Sequence, residues 1–199
     1  MHYRVIKLRD VNRPGSPALV DVVNRHREAI KEQGHEIFGL FGALLGLATN
    51  EIYLVTFGET NLNLKLPKNI EVANDWTLKP TARPTEHTAA QDPGVYVFRW
   101  FSVRPQTISE IVELSKNAWP DFESSFDTQV QGLFVEDIEN PQIMLLLTWY
   151  RNLTVWEESR NPPHNARENF IRRHQLTLNA LPIATSLLTS DTTHLVSHR

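Results

Sequence analysis

Arg99 is the residue best placed to do chemistry. It sits in the middle of the run Val95-Tyr96-Val97-Phe98-Arg99-Trp100-Phe101-Ser102-Val103. Alternation along this run puts Val95, Val97, Arg99 and Phe101 on one face and Tyr96, Phe98 and Trp100 on the other, as in a strand covered on both sides. A charge among such neighbours is costly unless it is paired or faces a wet cavity. Two readings are therefore open. Arg99 anchors an anion or a carbonyl in a pocket, or it is structural, in an internal salt bridge to Glu136 or Asp137 or exposed on an edge. Trp149 and Tyr150 are adjacent in a second apolar run and fall on opposite faces, so one of them shares the inward face. Arg99, Phe101, Trp149 and Tyr150 make the candidate ligand-binding set, an apolar pocket with one polar handle.

Catalysis by proton transfer would need a base as well. His35 and Tyr150 are the candidates that fall on strands. A two-histidine metal face needs i,i+2 on a strand or i,i+4 on a helix. The histidines are read as having no pair at that spacing, and no metal site is expected. His174 reads as a histidine at a helix C-terminus, where it interacts with the dipole. The chain has no G-x-S-x-G, no P-loop and no G-x-G-x-x-G, so hydrolase, nucleotide and dinucleotide readings lose their main support. Gly39-xx-Gly42-xxx-Gly46 lies in an apolar strand and reads as a bulge or close packing.

The elements that must position these residues occur twice. Arg13-Pro14 recurs as Arg104-Pro105, 91 residues on (104 − 13). At the same offset Ile52 and Leu54 fall opposite Ile143 and Leu145, and Arg99 falls opposite Leu8, so a site at Arg99 belongs to one half only. In the first copy Tyr3–Arg9 alternates as a strand. Ser16 and Pro17 open an amphipathic helix that runs through Leu19, Val22 or Val23, His26 and Ile30 to Gly34. Strands follow at His35–Leu47 and Glu51–Phe57. A helical turn is expected near Lys68–Val72, and an edge strand begins at Trp76–Leu78.

In the second copy the strand Val95–Val103 leads to a helix opened by the box Thr107-xx-Glu110. Its stripe is Ile108, Ile111, Val112, Ser115, Ala118 or Trp119, and Phe122. Strands are expected at Phe126–Val135 and Ile143–Tyr150. Two helices capped at Thr154-xx-Glu157 and Asn165-xx-Glu168 come next, and a last strand spans Leu176–Leu188. The order β-α-β-β-α-β is the ferredoxin-like unit. The fold class is α+β, with a first half over 1–85, a linker at 86–93 within the polar, proline-rich stretch Lys79–Pro93, a second half over 94–188 and a C-terminal tail over 189–199. The second half should be the better packed.

With 199 residues, 41% hydrophobic and 22% charged, the chain can bury a core. A net charge of −3 carries no footprint for nucleic acid or an anionic membrane. The absence of cysteine excludes disulfides, thiolate catalysis and cysteine-bound metals. No secretory signal follows Met1, so the expected compartment is the cytoplasm. The longest apolar stretch, Ile37–Ala48, falls short of the roughly 20 residues of a membrane helix.

The stretch from Tyr96 to Pro105, with the helix after it, resembles the opening of the NIPSNAP-like branch of dimeric α/β barrel proteins. So does Leu147–Arg160, with Phe170-Ile171-Arg172-Arg173 downstream. The resemblance covers Val95–Leu188. In the first copy it rests on element order. It implies two ferredoxin-like sheets facing each other within one chain, as a monomer or homodimer, around a pocket for a small apolar or aromatic ligand, without a cofactor. The alternatives it implies are a cofactor-independent oxygenase or isomerase acting on a polyketide-like aromatic, and a barrel filled solid. Some barrels of this fold class ligate haem through a histidine in the later half, which makes His174 a second possibility beside its dipole role. Where the family often has an aromatic hydroxyl two residues after the strand arginine, this chain has Phe101, and a tyrosine's role there is lost.

Overall fold

A computed structural model describes residues 1–59 and 61–188; the expected tail at 189–199 lies outside the described residues. The chain divides into two compact units. Unit one is Met1–Leu78, His87–Asp92 and the described part of Ala184–Arg199; unit two is Lys79–Glu86 and Pro93–Ile183. In order the elements are β1 (His2–Asp10), α1 (Pro17–Arg25), α2 (Arg27–Glu32), β2 (His35–Leu45), β3 (Glu51–Gly58), β4 (Ile70–Pro80), β5 (Val95–Val103), α3 (Ile108–Ser125), β6 (Thr128–Glu136), β7 (Ile143–Tyr150), α4 (Leu153–Glu158), α5 (His164–Leu176) and β8 (Thr177–Leu187). The fold is α+β, two tandem ferredoxin-like units. No helix among the described residues is long and apolar enough to cross a membrane.

In unit one β1 runs antiparallel between β3 and β4, β2 takes the other edge of β3, and residues 184–187 of β8 pair with β2. Ile6, Leu8, Leu40, Ile52 and Leu54 pack against Leu19, Val20, Val22, Val23 and Ile30 of the helices. The expected single helix is broken at His26. Its ring nitrogens each lie 2.8 Å from a carbonyl oxygen, of Val22 and of Lys65, and its backbone leaves helical angles. Ser16 makes no side-chain cap.

The helical turn expected at 68–72 is absent, because β4 begins at Ile70. In its place Leu62, Leu64 and Leu66 pack on the core from an extended segment, a period of two rather than 3.6. Gln33 ties this segment to the end of α2: Asn63 N–H donates to its Oε1 at 2.8 Å and its Nε2 donates to Asn63 O at 3.1 Å.

In unit two β7 is central, antiparallel to β5 and β6. Phe101, Val103, Val130, Leu133, Met144 and Leu146 face Ile111 and Trp119 of α3. The caps differ from the sequence signals. Thr107 Oγ1 donates back to Arg104 O at 2.8 Å instead of capping α3. Asn152, not Thr154, caps α4, accepting from Val155 N–H at 3.0 Å. Asn165 lies inside α5, which follows Pro163. Part of the proline-rich stretch is laid on β6: Thr81 N–H donates to Leu133 O at 2.9 Å and Leu133 N–H to Arg83 O at 3.1 Å.

The pairing registers show which residues correspond between the units. Ile6 lies opposite Leu54, which lies opposite Leu40; Arg99 lies opposite Leu146, which lies opposite Leu133. The β2–β3 and β6–β7 pairings each have one register shift, ending at Gly39 in β2 and at Gly132 in β6, 93 residues apart (132 − 39). In both, a phenylalanine two residues on covers the glycine. A Cβ would come within 2.6 Å of the Phe41 ring at Gly39 and within 2.4 Å of the Phe134 ring at Gly132. The Arg-Pro spacing of 91 therefore does not give the strand alignment, and the counterpart of Arg99 is Ile6 rather than Leu8.

Candidate ligand-binding site

On the helix-covered face of unit two is a cavity of about 710 Å³. Strand residues Arg99, Phe101, Val130, Leu146, Thr148 and Tyr150 form its floor. Trp119 and Phe122 enter from α3, Trp156 from α4, and Phe170, Arg173 and His174 from α5. Local sequence explains the arrangement. Alternation along β5 and β7 sends Arg99, Phe101, Thr148 and Tyr150 to the same face. Helical spacing of three brings Trp119 with Phe122, and Phe170 with Arg173, onto one stripe each.

The rings pack edge to face around Phe122. Tyr150 lies at 6.5 Å and 86°, and Phe170 at 5.4 Å and 80°. Arg173 is 5% exposed. Its Nη1 donates to Ser115 Oγ at 3.2 Å, and that hydroxyl donates in turn to Ile111 O at 2.7 Å. The guanidinium carbon lies 4.6 Å from the Phe170 centroid and 5.5 Å from that of Phe101. Burial, followed by the positive charge of Arg99, pushes the Arg173 pKa down to about 9. Burial pushes the Tyr150 phenol up, with Arg99, Ser159, Arg173 and Thr148 opposing. No carboxylate lines the cavity among the described residues.

The four ligand-binding candidates do not stay together. Arg99, Phe101 and Tyr150 line the cavity. Trp149 is on the other face of β7, where its indole N–H donates to Pro93 O at 3.2 Å. The carboxylates considered for Arg99 are engaged elsewhere: Glu136 accepts from Ile143 N–H at 3.1 Å, and Asp137 pairs with Lys79 at 3.3 Å. His35 is in unit one, buried beside Thr56 Oγ1 at 3.3 Å, whereas Tyr150 is in unit two. Sequence reasoning misses Arg173 and Phe170 as site residues, because buried and exposed positions of α5 look alike in a sequence this polar, and it takes Trp119 and Phe122 of the α3 stripe as core.

No protein-family model matches the chain, and no curated protein matches its sequence. Solved structures do match its fold. An anthrone oxidase-like protein is 11% identical at a TM-score of 0.59, covering 94% of this chain and 92% of its own. A heme-binding protein from Thermus thermophilus is 8% identical at 0.60, covering 98% and 93%. A ferredoxin fold protein related to antibiotic biosynthesis monooxygenases, from Listeria monocytogenes, is 10% identical at 0.54, covering 94% and 95%. The fold is that of the dimeric α/β barrel proteins.

His174 lines the cavity, but it is exposed, and its ring nitrogens have no hydrogen-bond partner among the described residues. A metal-ligating imidazole is normally oriented by an acceptor on its other nitrogen. The residues present therefore do not fit an axial haem ligand. No group of three metal-ligating side chains occurs among the described residues. His194 and His198, spaced i,i+4, lie outside the described residues.

Proposed function

We propose that the protein binds a small, flat, mainly apolar molecule between the sheet and the helices of its second unit. The observation that carries this is the cavity of about 710 Å³ with Phe101, Trp119, Phe122, Trp156 and Phe170 in its lining. It falls within the roughly 300–1,000 Å³ of small-molecule sites, which are mostly apolar with a few placed polar groups. The stretches 96–105 and 147–160, which supply much of its floor and one wall, favour a NIPSNAP-like assignment within the fold. Native mass spectrometry of freshly purified protein tests the reading. A co-purified adduct, or one formed with a panel of two- and three-ring aromatics, is expected. A bare chain under all these conditions would overturn it.

A second reading, cofactor-independent oxygenation of a polyketide-like aromatic, draws on the monooxygenase relationship and the anthrone oxidase likeness of two structural neighbours. It needs a base in the cavity. Tyr150 is held protonated there by burial, which suits a hydrogen-bond donor better than a base. His35 is in the other unit. Binding is therefore the reading favoured over turnover.

A further inference from the structure

The cavity holds buried donors that lack acceptors. Arg173 meets one hydroxyl and two aromatic rings, and no carboxylate comes within ion-pair distance of it among the described residues. Of the five N–H donors of a guanidinium, one is used. Arg99 is half-buried and has neither a hydrogen-bond nor an ion-pair partner among the described residues. Trp119 keeps its indole N–H buried without an acceptor. Native interiors pair such groups, and an exception calls for an explanation. Two like charges lining one cavity add repulsion to that cost. Loss of a proton does not relieve it, because a guanidinium stays charged at neutral pH. What would relieve it is an oxyanion brought by a ligand.

We propose that the ligand is an aromatic carboxylic acid, its carboxylate held between Arg99 and Arg173 and its rings among Phe101, Phe122 and Phe170. This rests on the small-ligand reading of the same cavity and names the class of ligand. A planar guanidinium matches a carboxylate through paired N–H donors. The aromatic walls leave room for the apolar body.

Calorimetric titration of the full chain with 2-naphthoate and with 2-naphthamide, its neutral isostere, tests this. The acid should bind about ten- to a hundredfold more tightly than the amide, the range expected for hydrogen bonds to charged groups. The preference should vanish in Arg173→Met and shrink in Arg99→Gln. It should be unchanged in Arg151→Gln, whose arginine pairs with Asp127 away from the cavity. If Arg173→Met does not fold, Arg173→Lys keeps the charge and loses the fork, and should bind the acid more weakly than the native chain. Equal binding of acid and amide overturns this proposal and leaves the small-ligand reading standing. Binding of neither overturns this proposal, and the small-ligand reading then stands or falls with the wider aromatic panel. Inorganic phosphate raising the melting temperature as much as naphthoate overturns the aromatic part. A native preference in both Arg99→Gln and Arg173→Lys removes these two residues from the site.

Discussion

Arg99 faces Leu146 across the β5–β7 ladder at the place where Ile6 faces Leu54 in the first unit. The first unit buries an isoleucine 1% exposed there, inside its main cluster. The second unit puts a guanidinium at the same place and leaves a cavity around it. One repeat thus packs the position solid, and the other keeps it open with a charge on its floor.

Replacing Arg99 by methionine should therefore leave stability unchanged or raise it, while weakening any bound acid. A hidden carboxylate partner would instead be stranded by the change, at roughly 3–5 kcal/mol. A thermal melt showing a loss of that size would contradict the unpaired state of Arg99.

The two glycine bulges should be intolerant of a methyl group. Gly132→Ala places a Cβ 2.4 Å from the Phe134 ring and 3.0 Å from Pro84 Cδ, and Gly39→Ala places one 2.6 Å from the Phe41 ring. Overpacking of this kind costs about 1–3 kcal/mol. Urea denaturation should show both losses, and a neutral Gly132→Ala would mean the ring swings aside freely.

At the start of α4 the structure separates two candidate caps. Asn152→Ala should cost about 1 kcal/mol, because it removes the acceptor for Val155 N–H. Thr154→Ala should be within experimental error of the native protein. The reverse order in paired denaturation curves would restore the threonine box.

Glu51 gives unit one an acid-sensitive contact. It accepts from Arg9 at 2.9 Å and 2.5 Å and lies 3.7 Å from Lys7, with its side chain 6% exposed. Burial opposes its charge. The Arg9 hydrogen bonds, the Ala48 N–H and the nearby cations outweigh burial and hold the carboxyl below its ordinary 4.5. A depressed folded pKa means this stability is complete above about 4.5 and is lost as pH falls through the folded value. Glu51→Gln should lower stability at neutral pH by roughly 1–3 kcal/mol and flatten its fall in acid. Parallel acid limbs for the two proteins would refute this.

Tyr150 should titrate late. Burial raises its phenol above the ordinary 10.0, so the unfolded chain ionises first and this contribution to stability declines as pH rises past about 10. Absorbance of phenolate should show the same rise near pH 10 in Tyr150→Phe as in the native chain, with the difference confined to higher pH. A missing component at or below pH 10 would show that the phenol is not shielded.

Much of the fold is legible because strands advertise themselves. Val95–Val103 and Ile143–Tyr150 match their observed spans, and alternation alone puts Arg99 and Phe101 on one face. Trp149 is not separable from Tyr150 without knowing which face the helices cover. Arg173 is invisible for a related reason: Arg167, Arg172 and Arg173 lie close together on one polar helix, and only the packed structure shows which is buried. The leucines at 62, 64 and 66 pass for irregular chain, although their alternation describes an extended segment. The repeat is visible in the sequence but misaligned there by one or two residues, because Arg-Pro is a loop feature and the Gly-x-Phe bulge carries the register.

The pairing of β8 with β2 bears on the order of events during synthesis. Phe41 waits for Leu187, and Gly42 lies under Leu188, whose Cδ2 would stand 2.8 Å from any Cβ there. On the ribosome the edge of β2 is therefore complete only after 146 further residues have emerged (187 − 41). Until then the nascent chain carries an open edge strand able to template pairing with a stranger. Slow codons or a stall between the two units would lengthen that exposure.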